Sequence, residues 1–203
     1  INNDNWPQIK DVEYTESIDD ILNDELIDLV IITTPSRYHY EFAKKVLLAS
    51  KNCIVEKPFT ETSEEAKELF KLASEKGVSI QGYQNRRFDS DYLTVKKVIE
   101  SGVLGELLEL EMHFDYYRPY VPESKSLDKL NGYLYSHGCH TLDQVIAYFG
   151  KPDSVVYDVK QILGPGRMND YFDVDMNYGV LKVSVKSSYF RIKERPSFVL
   201  YGK

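Results

Sequence analysis

The 203-residue sequence has no long hydrophobic run, since none of its apolar stretches approaches the roughly 18 residues that a membrane-spanning helix needs. Residues 1–7 also lack the basic segment followed by an apolar one that marks a secretory signal. We therefore expect no membrane partner and a cytoplasmic location.

Clusters of basic residues and of cysteines are missing too. The formal net charge is −7, and the densest basic group is the pair Arg86 and Arg87. A nucleic-acid surface needs clustered Lys and Arg to neutralise phosphates, so we expect no nucleic-acid partner. The two cysteines, Cys53 and Cys139, lie far apart and match no metal-ligand spacing, which favours reduced thiols.

A glycine-rich phosphate-binding turn is the third absence. A nucleotide-binding doubly wound domain normally opens with a strand, a Gly-x-Gly-x-x-Gly turn and a helix. The eleven glycines include Gly164 and Gly166 around a proline, but this pair opens no apparent helix. Because the middle strands of such a sheet are present, we expect the chain to begin downstream of the turn and to be truncated at its C-terminal end as well.

The first third of the chain alternates strands and helices. Its strands are short, apolar runs rich in β-branched residues, typical of a parallel sheet buried on both faces. The best-marked helix begins with a capping box of Thr62 and Glu65 and ends at Gly77. The predicted elements are strands at 28–34, 52–56 and 78–83 and helices at 38–50 and 62–77. This order predicts a right-handed βαβαβ unit, half of a doubly wound sheet.

The pattern changes after residue 84. A helix is predicted at 91–101, and residues 108–115 alternate apolar and polar side chains, as in a sheet with one covered face and one wet face. Further strands are expected at about 154–162, 171–177 and 180–190. We therefore predict an α/β protein of two domains. Residues 1–84 form the C-terminal part of a Rossmann-type, doubly wound parallel sheet. Residues 85–203 form an incomplete α+β domain with an open, mostly antiparallel sheet.

Glu56-Lys57-Pro58 follows the second predicted strand, at the carboxyl end where open α/β sheets bind ligands. The proline keeps Lys57 out of helical geometry and fixes how the chain leaves the sheet. A lysine there can donate hydrogen bonds to a substrate hydroxyl and favour its alkoxide. A solvated Glu–Lys pair on a loop is the alternative. Thr34 and Pro35 end the neighbouring strand at the same edge, which favours a site.

A second group of candidate residues lies on a predicted helix that ends near Phe149. At 100° per residue, its apolar stripe comprises Leu142, Val145, Ile146 and Phe149. Ser136, His140 and Asp143 cluster on nearly the opposite side. Because imidazole titrates near neutral pH, His140 can accept a hydroxyl proton as hydride leaves the same carbon.

His137 is the competing histidine of this segment. It lies about a quarter turn away from the Ser136–His140–Asp143 face, and we interpret it as structural. The pair His137 and His140 also raises the alternative of a metal site. Zinc and iron sites usually need another ligand from elsewhere, and none is obvious, so we assign no metal.

Together these pieces resemble the Gfo/Idh/MocA family of oxidoreductases, which includes glucose–fructose oxidoreductase and inositol dehydrogenase. The segments that carry the resemblance are residues 31–39, 55–58, 85–88, 102–105 and 138–143. They occur in the family's order and spacing over nearly the whole chain. Each motif alone is weak, and the five together are specific.

The resemblance implies a Rossmann domain that binds NAD or NADP, followed by a substrate domain. It implies that Lys57 reaches both nicotinamide and substrate and that His140 transfers the proton. It also implies a homodimer or homotetramer formed through the exposed face of the second sheet. The residues that it places around the cofactor are Thr34, Pro35, His39, Glu56, Lys57 and Asn85.

One departure from the family bears on catalysis. Many members carry an Asp four residues before the catalytic histidine, where this chain has Ser136. A carboxylate would orient the imidazole and stabilise its cation, whereas a hydroxyl can only orient it. The sequence thus predicts hydride transfer between NAD(P) and a sugar, polyol or related hydroxy compound. The alternative is a non-catalytic sensor of dinucleotide or sugar with the same fold.

Residues 114–120 form an aromatic loop that we expect to wall the substrate pocket. Tyr117 and Arg118 suit a polar sugar ring or an acidic group, and Asp143 is a further predicted substrate contact. Packing of these aromatic residues in an oligomer contact is the alternative. The choice between NAD and NADP does not follow, because no ribose-reading residue is identifiable.

Overall fold

The computed structural model describes residues 9–120, 130, 132–166 and 168–203. The helices are α1 (Ile18–Asn23), α2 (His39–Leu48), α3 (Ser63–Lys76), α4 (Ser90–Glu100) and α5 (Cys139–Phe149). The strands are β1 (Leu29–Ile32), β2 (Asn52–Val55), β3 (Ile80–Gly82), β4 (Leu107–Met112), β5 (Ser154–Lys160), β6 (Tyr171–Tyr178), β7 (Leu181–Ser188) and β8 (Phe198–Gly202). None of the helices described is long and apolar enough to cross a bilayer.

Strands β1, β2 and β3 form a parallel sheet in that order, with Ile31 opposite Ile54 and Ile54 opposite Gln81. Helices α2 and α3 pack against each other and against the sheet. Buried side chains between these layers include Ala43, Val46, Leu47, Val55 and Leu69. The predicted βαβαβ unit is therefore confirmed.

The expected burial of the first strand on both faces is wrong for the described chain. Ile32 is buried against the helices, whereas Leu29 and Ile31 are 46% and 59% exposed. Side chains alternate between the two faces of a strand, so the face opposite the helices is the open one.

The predicted ends of α3 are confirmed. The Thr62 hydroxyl accepts a hydrogen bond from the Glu65 backbone amide, and the Glu65 carboxylate accepts one from the Thr62 amide. Gly77 follows the helix at φ 67°, a left-handed conformation that a residue with a Cβ adopts less readily. These local signals fix the length of the second crossover and therefore the start of β3.

The second sheet contains five strands in the order β5-β6-β7-β4-β8. Three of its four pairings are antiparallel and β4–β7 is parallel, so the expected mostly antiparallel sheet is confirmed. Helix α5 packs across one face. The core residues between helix and sheet include Leu110, Met112, Val145, Phe172 and Val183.

Two predictions in this domain need correction. Sequence periodicity missed α1 and β8, although β8 pairs with β4 along its length. His113 and Asp115 were expected on the wet face, but both are buried. The burial of Asp115 is explained by Arg195, because the Arg195 guanidinium binds both carboxylate oxygens of Asp115 at 2.8 and 3.0 Å.

Candidate active site

Lys57 lies two residues after the end of β2, at the carboxyl end of the parallel sheet. Its backbone amide donates to Glu56 Oε2 at 2.9 Å, which holds the turn after the strand. Its Nζ donates to the backbone carbonyl of Ser136 at 3.1 Å, across 79 positions of sequence. The side chain of Lys57 therefore connects the sheet edge to the segment that begins α5.

An open cleft of about 330 Å³ lies beside this connection. It brings together Thr34, His39, Glu56, Lys57 and Ser136, all named from the sequence. Its other lining residues are Thr33, Ser36, Pro58 and Leu130. Pro35 precedes a short 3₁₀ turn, Ser36–Tyr38, and is exposed. Asn85 is exposed in a second 3₁₀ turn, Asn85–Phe88, outside the lining of this cleft.

A π-helical turn, Leu134–Gly138, leads directly into α5. The amide of Cys139 reaches back to the Leu134 carbonyl, five residues earlier. The angle of 100° per residue therefore does not hold before Cys139. The Ser136 hydroxyl contacts Nδ1 of His137 at 2.8 Å, so the described geometry favours His137 over His140 as its partner.

His140 is 6% exposed, and its Nδ1 has no hydrogen-bond partner among the residues that the structure describes. Burial, followed by the positive charges of Lys57 and Arg86, lowers the pKa of His140 to about 4. The imidazole is therefore neutral at neutral pH. It stands beside a lysine cation and in a form that can accept a proton.

His137 lies in an aromatic cluster. Its ring contacts those of Tyr116, Tyr133 and Tyr189, with centroids 5.0 to 5.8 Å apart. The Tyr189 hydroxyl is 3.4 Å from Nδ1. Burial, with the charges of Lys57, Arg118, His140 and Arg86, lowers the pKa of His137 to about 4. The aromatic contacts of His137 agree with the structural role expected for it. However, His137 also lies near Lys57 and Arg86, the same cations that act on His140.

The apolar stripe of α5 also differs from the prediction. Val145 is buried and Leu142 and Phe149 pack on the core, but Ile146 is 49% exposed. Gln144 takes the buried position instead, because its side-chain amide donates to the Arg86 carbonyl at 2.6 Å.

Asp143 binds Arg87 through two hydrogen bonds of 2.7 Å, one to each carboxylate oxygen. This pair joins α5 to the 3₁₀ turn that follows the first sheet. Sequence reasoning missed the role of Arg87 because the partners lie 56 positions apart. Since Arg87 holds both oxygens of Asp143, the described geometry favours a positioning role over the predicted substrate contact.

The two predicted substrate residues of the aromatic loop take different positions. Arg118 lies over the ring of Tyr116, 4.6 Å from its centroid, and its charge acts on His137. Tyr117 pairs with Phe190 as an isolated β-bridge and is exposed. The structure thus brings Arg118, but not Tyr117, into the electrostatic surroundings of the histidine pair.

Two buried polar atoms make the cleft suitable for binding a polar ligand. The buried hydroxyl of Thr34, like Nδ1 of His140, has no partner among the described residues. Buried polar groups are normally hydrogen-bonded, so these two atoms fit a ligand such as the nicotinamide end of a dinucleotide. The described residues contain no group of three or more His, Cys, Asp or Glu side chains placed to hold a metal.

Comparison with known proteins places both domains in one group. Residues 5–83 match the model of an oxidoreductase family, Gfo/Idh/MocA, with an NAD-binding Rossmann fold. Residues 92–203 match the C-terminal domain model of the same family.

Among curated relatives, the uncharacterized oxidoreductase YhhX of Escherichia coli is 47% identical over 97% of this chain. The scyllo-inositol 2-dehydrogenase (NADP(+)) IolW of Bacillus subtilis is 36% identical over 95%. The chain spans 57% and 54% of the lengths of these two proteins.

Solved structures give the same result. An oxidoreductase from Bacillus cereus superposes with a TM-score of 0.88 at 46% identity, covering 94% of this chain and 54% of that one. GenD2 from gentamicin A biosynthesis, solved in complex with NAD, has a TM-score of 0.77. It covers 93% of this chain and 56% of its own, and at 20% identity it shows the fold alone.

Proposed function

The chain belongs to the Gfo/Idh/MocA oxidoreductase family, and we propose that it carries the acid–base half of a site that oxidises or reduces a hydroxy compound. Membership confirms the predicted fold class and the cofactor class, NAD or NADP. The observation that supports the proposed site is the hydrogen bond from Lys57 Nζ to the Ser136 carbonyl, because it joins the Glu-Lys-Pro turn to the segment that bears His140.

The cofactor's contribution is hydride exchange between its nicotinamide ring and the carbon that carries the hydroxyl. In this chain, Thr34, Glu56 and Lys57 are the residues proposed to hold it, because they line the cleft and Thr34 Oγ1 has no partner in the part of the chain that the structure describes. Pro35 and Asn85 remain predicted cofactor residues that lie outside that lining.

Lys57 is proposed to bind the substrate oxygen. Its ammonium group has three N–H donors, and the structure assigns one to the Ser136 carbonyl. A donor and a positive charge beside a hydroxyl favour the alkoxide that forms as hydride leaves.

His140 is proposed as the group that accepts the hydroxyl proton during oxidation and returns it during reduction. Its lowered pKa makes it available as a base at neutral pH, since the ring does not first have to lose a proton. Burial keeps the ring neutral, and Lys57 and Arg86 add to this by disfavouring a third positive charge in the site.

The proposed substrates are sugars, polyols and related hydroxy compounds. A relative that is 36% identical is named as a scyllo-inositol 2-dehydrogenase, so cyclic polyols come first in a screen. Arg118, beside His137, favours substrates with several oxygens or an acidic group. Tyr117 and Asp143 stay predicted substrate residues with less support from the geometry.

The test is a screen of the full-length protein that contains this chain, over cyclic polyols, sugars and sugar acids with NAD⁺ and NADP⁺. We expect turnover that Lys57→Ala abolishes. Lys44→Ala is a matched control, because Lys44 is paired with Glu68 on the surface of α2 and α3, away from the cleft. Turnover that survives Lys57→Ala unchanged would contradict the proposed mechanism.

The second candidate function is a sensor that binds dinucleotide or sugar without turnover. It is favoured by one observation: the Ser136 hydroxyl bonds His137, and Nδ1 of His140 has no hydrogen-bond partner among the described residues. The same screen separates the two functions, because a sensor binds NAD(P)H or a sugar but shows no Lys57-dependent hydride transfer.

A homodimer or homotetramer through the outer face of the second sheet is the proposed assembly. That face carries acidic and basic side chains on adjacent strands, such as Lys182 and Asp175, which are 3.0 Å apart. Sedimentation of the full-length protein tests the assembly, and a monomer at micromolar concentration would contradict it. A reducing, cytoplasmic compartment is likewise proposed, from the two free cysteines.

A further inference from the structure

Asn169 is a buried residue that lies two positions before β6, outside the lining of the cleft. Its side-chain Oδ1 accepts a hydrogen bond from the Leu134 amide at 2.8 Å. Its backbone carbonyl accepts another from the Tyr133 amide at 3.3 Å. One residue of the second sheet thus binds two consecutive amides at the start of the segment that contains the π turn.

These two amides need an acceptor from outside their own segment. The helical segment that contains the π turn begins at Tyr133, and the first amides of a helix have no carbonyl partner within it. The Ser136 amide already reaches back to the Gly132 carbonyl, at 2.9 Å. A polar side chain beside the start of a helix is the usual partner of the earlier amides, and here Asn169 takes that place from another element.

The sheet holds the backbone beside Asn169 on both sides. The Asp170 amide donates to the Lys160 carbonyl, and the Asp170 carbonyl accepts from the Tyr189 amide, both at 3.0 Å. The buried Asp170 carboxylate accepts from the backbone amides of residues 162–163 at 2.8 and 2.9 Å. Asn169 is therefore anchored to the sheet and can fix the position of the π turn relative to it.

The π turn also packs closely on β6. A Cβ added to Gly138 would lie 3.2 Å from Cζ of Phe172, and the ring of Tyr133 stacks on that of Tyr189 with centroids 3.9 Å apart. Such packing holds the segment against the sheet, but it does not select the residue at which the helix begins. Directional hydrogen bonds from two successive amides do select it.

The starting residue matters for the cleft because two groups follow it along the segment. The Ser136 carbonyl accepts the hydrogen bond from Lys57 Nζ. His140 lies in the first turn of α5. If the Leu134 amide lost its acceptor, the start of the helix could shift, and both groups would move relative to Lys57.

We propose that Asn169 is a positioning residue, which caps the segment before α5 and so sets the register that brings the Ser136 carbonyl to Lys57 and places His140 beside it. Asn169 acts through the π turn and not by touching cofactor or substrate. The kinetic part of its test rests on the proposed function, whereas the exchange part does not.

The direct test is hydrogen–deuterium exchange of the full-length protein, which reports on the capped amides without any assay of activity. The variant is Asn169→Leu, which replaces the acceptor with an apolar side chain of similar size. We expect the amides of residues 133–138 to exchange about tenfold faster in this variant, as for the loss of one hydrogen bond. Unchanged exchange there, or a Leu134 amide that already exchanges freely in the unsubstituted protein, would overturn the inference.

Val183→Ala is the matched control for stability. Val183 is fully buried on β7 opposite Met176, towards the end of β6 that is far from Asn169. The cavity left by its truncation lowers overall stability and removes no acceptor from the π turn. We expect no selective rise in exchange at residues 133–138. A rise equal to that in Asn169→Leu would mean that general destabilisation, and not the cap, explains the effect.

The kinetic test separates positioning from cofactor binding. With the best substrate of the screen, we expect Asn169→Leu to lower kcat by about tenfold and to leave the Kd for NAD(P)H within about twofold. The Kd should hold because the residues proposed to bind the cofactor follow β1 and β2. An unchanged kcat, or a Kd that rises as much as kcat falls, would contradict the positioning role.

The failure of this proposal can be told apart from the failure of the proposed function. A protein without turnover would contradict the proposed function, while faster exchange at residues 133–138 in Asn169→Leu would still support the cap. If Asn169→Leu does not fold, Asn169→Ala removes the same acceptor without adding a large apolar side chain, and the same exchange measurement decides.

Discussion

One side of the cleft, here called the sheet side, is formed by the loops after β1 and β2, and its polar side chains make hydrogen bonds to backbone groups. The other side, the helix side, is formed by the π turn and α5. Glu56 bonds the Lys57 amide, and both nitrogens of His39 meet carbonyl oxygens. On the helix side, His140 keeps a buried nitrogen without a described partner, and the Ser136 hydroxyl bonds the neighbouring His137. Apart from the Thr34 hydroxyl, which has no partner among the described residues, the first side has these hydrogen bonds made before any ligand arrives. The second keeps a neutral base available for a ligand to complete.

Among the substitutions proposed here, removal of His140 should have the largest effect on activity, because it takes away the base on the helix side. We expect His140→Ala to lower kcat by about 10²- to 10⁴-fold, as for the loss of a general base, with a small change in cofactor KM. Steady-state kinetics of the full-length protein measure both. His137→Asn is the comparison three positions earlier in the chain, and an equal loss of kcat in that variant would contradict the assignment of His140.

The lowered pKa of His140 also predicts a pH profile. Oxidation needs the neutral ring, so the acidic limb of log kcat/KM should fall near pH 4 and not near the usual 6.5. A profile measured from pH 3.5 to 8 in protein that remains folded tests this. An acidic limb near pH 6.5 that disappears in His140→Ala would show that the pKa of His140 is not lowered.

Acid should destabilise the protein through the histidine pair. In the unfolded chain these rings take up protons as the pH falls below about 6.5, but in the folded chain they do so only near 4. Stability is therefore lost between pH 6.5 and 4. After allowance for water at the cleft, we expect a loss of roughly 1 kcal/mol per histidine. Urea unfolding at pH 7 and 4.5, compared with His140→Asn, measures it, and an identical loss in that variant would contradict the attribution.

The Arg87–Asp143 pair links the two sides of the cleft, because Arg87 lies in the turn after the parallel sheet and Asp143 lies on α5. We expect Arg87→Ala and Asp143→Ala each to destabilise the protein by about 1 kcal/mol and the double variant to be subadditive. A double-mutant cycle in urea gives the coupling. Additive effects would mean that the two hydrogen bonds contribute nothing measurable, and a substrate KM that rises only in Asp143→Ala would restore its predicted substrate role.

Ser136→Ala should have the smallest effect. It removes a hydroxyl from His137 and leaves the backbone carbonyl that Lys57 binds, so we expect kcat to change by less than about threefold. A loss as large as that of His140→Ala would mean that the hydroxyl acts on the catalytic ring, as the sequence suggested. Kinetics of the two variants under the same conditions decide between them.

Much of the sheet side could be predicted from the sequence. The βαβαβ order, the capping box of α3 and the strand-end position of Lys57 all depend on local patterns of a few residues. The family resemblance named Thr34, His39, Glu56 and Lys57 together, and these residues lie on one cleft. The bonds of His39 were not predicted, because they depend on where two loops lie in space.

The helix side was predicted less well, since its geometry departs from a regular helix. An angle of 100° per residue placed Ser136 beside His140, but the π turn changes that angle before α5 begins. The partners of Asp115 and Asp143 were missed because Arg195 and Arg87 are distant in sequence. The proposed boundary between residues 84 and 85 stays a prediction.

The π turn at Leu134–Gly138 also constrains how this segment can change in length. A π turn holds one residue more than an α-helical turn over the same span. Deletion of a single residue there would restore a continuous helix and rotate everything before it by about 100° relative to α5. The Ser136 carbonyl would then leave Lys57, and a different side chain would stand in the place of His137. Insertions and deletions in this turn should therefore be far less tolerated than substitutions, and a library of length variants would show it.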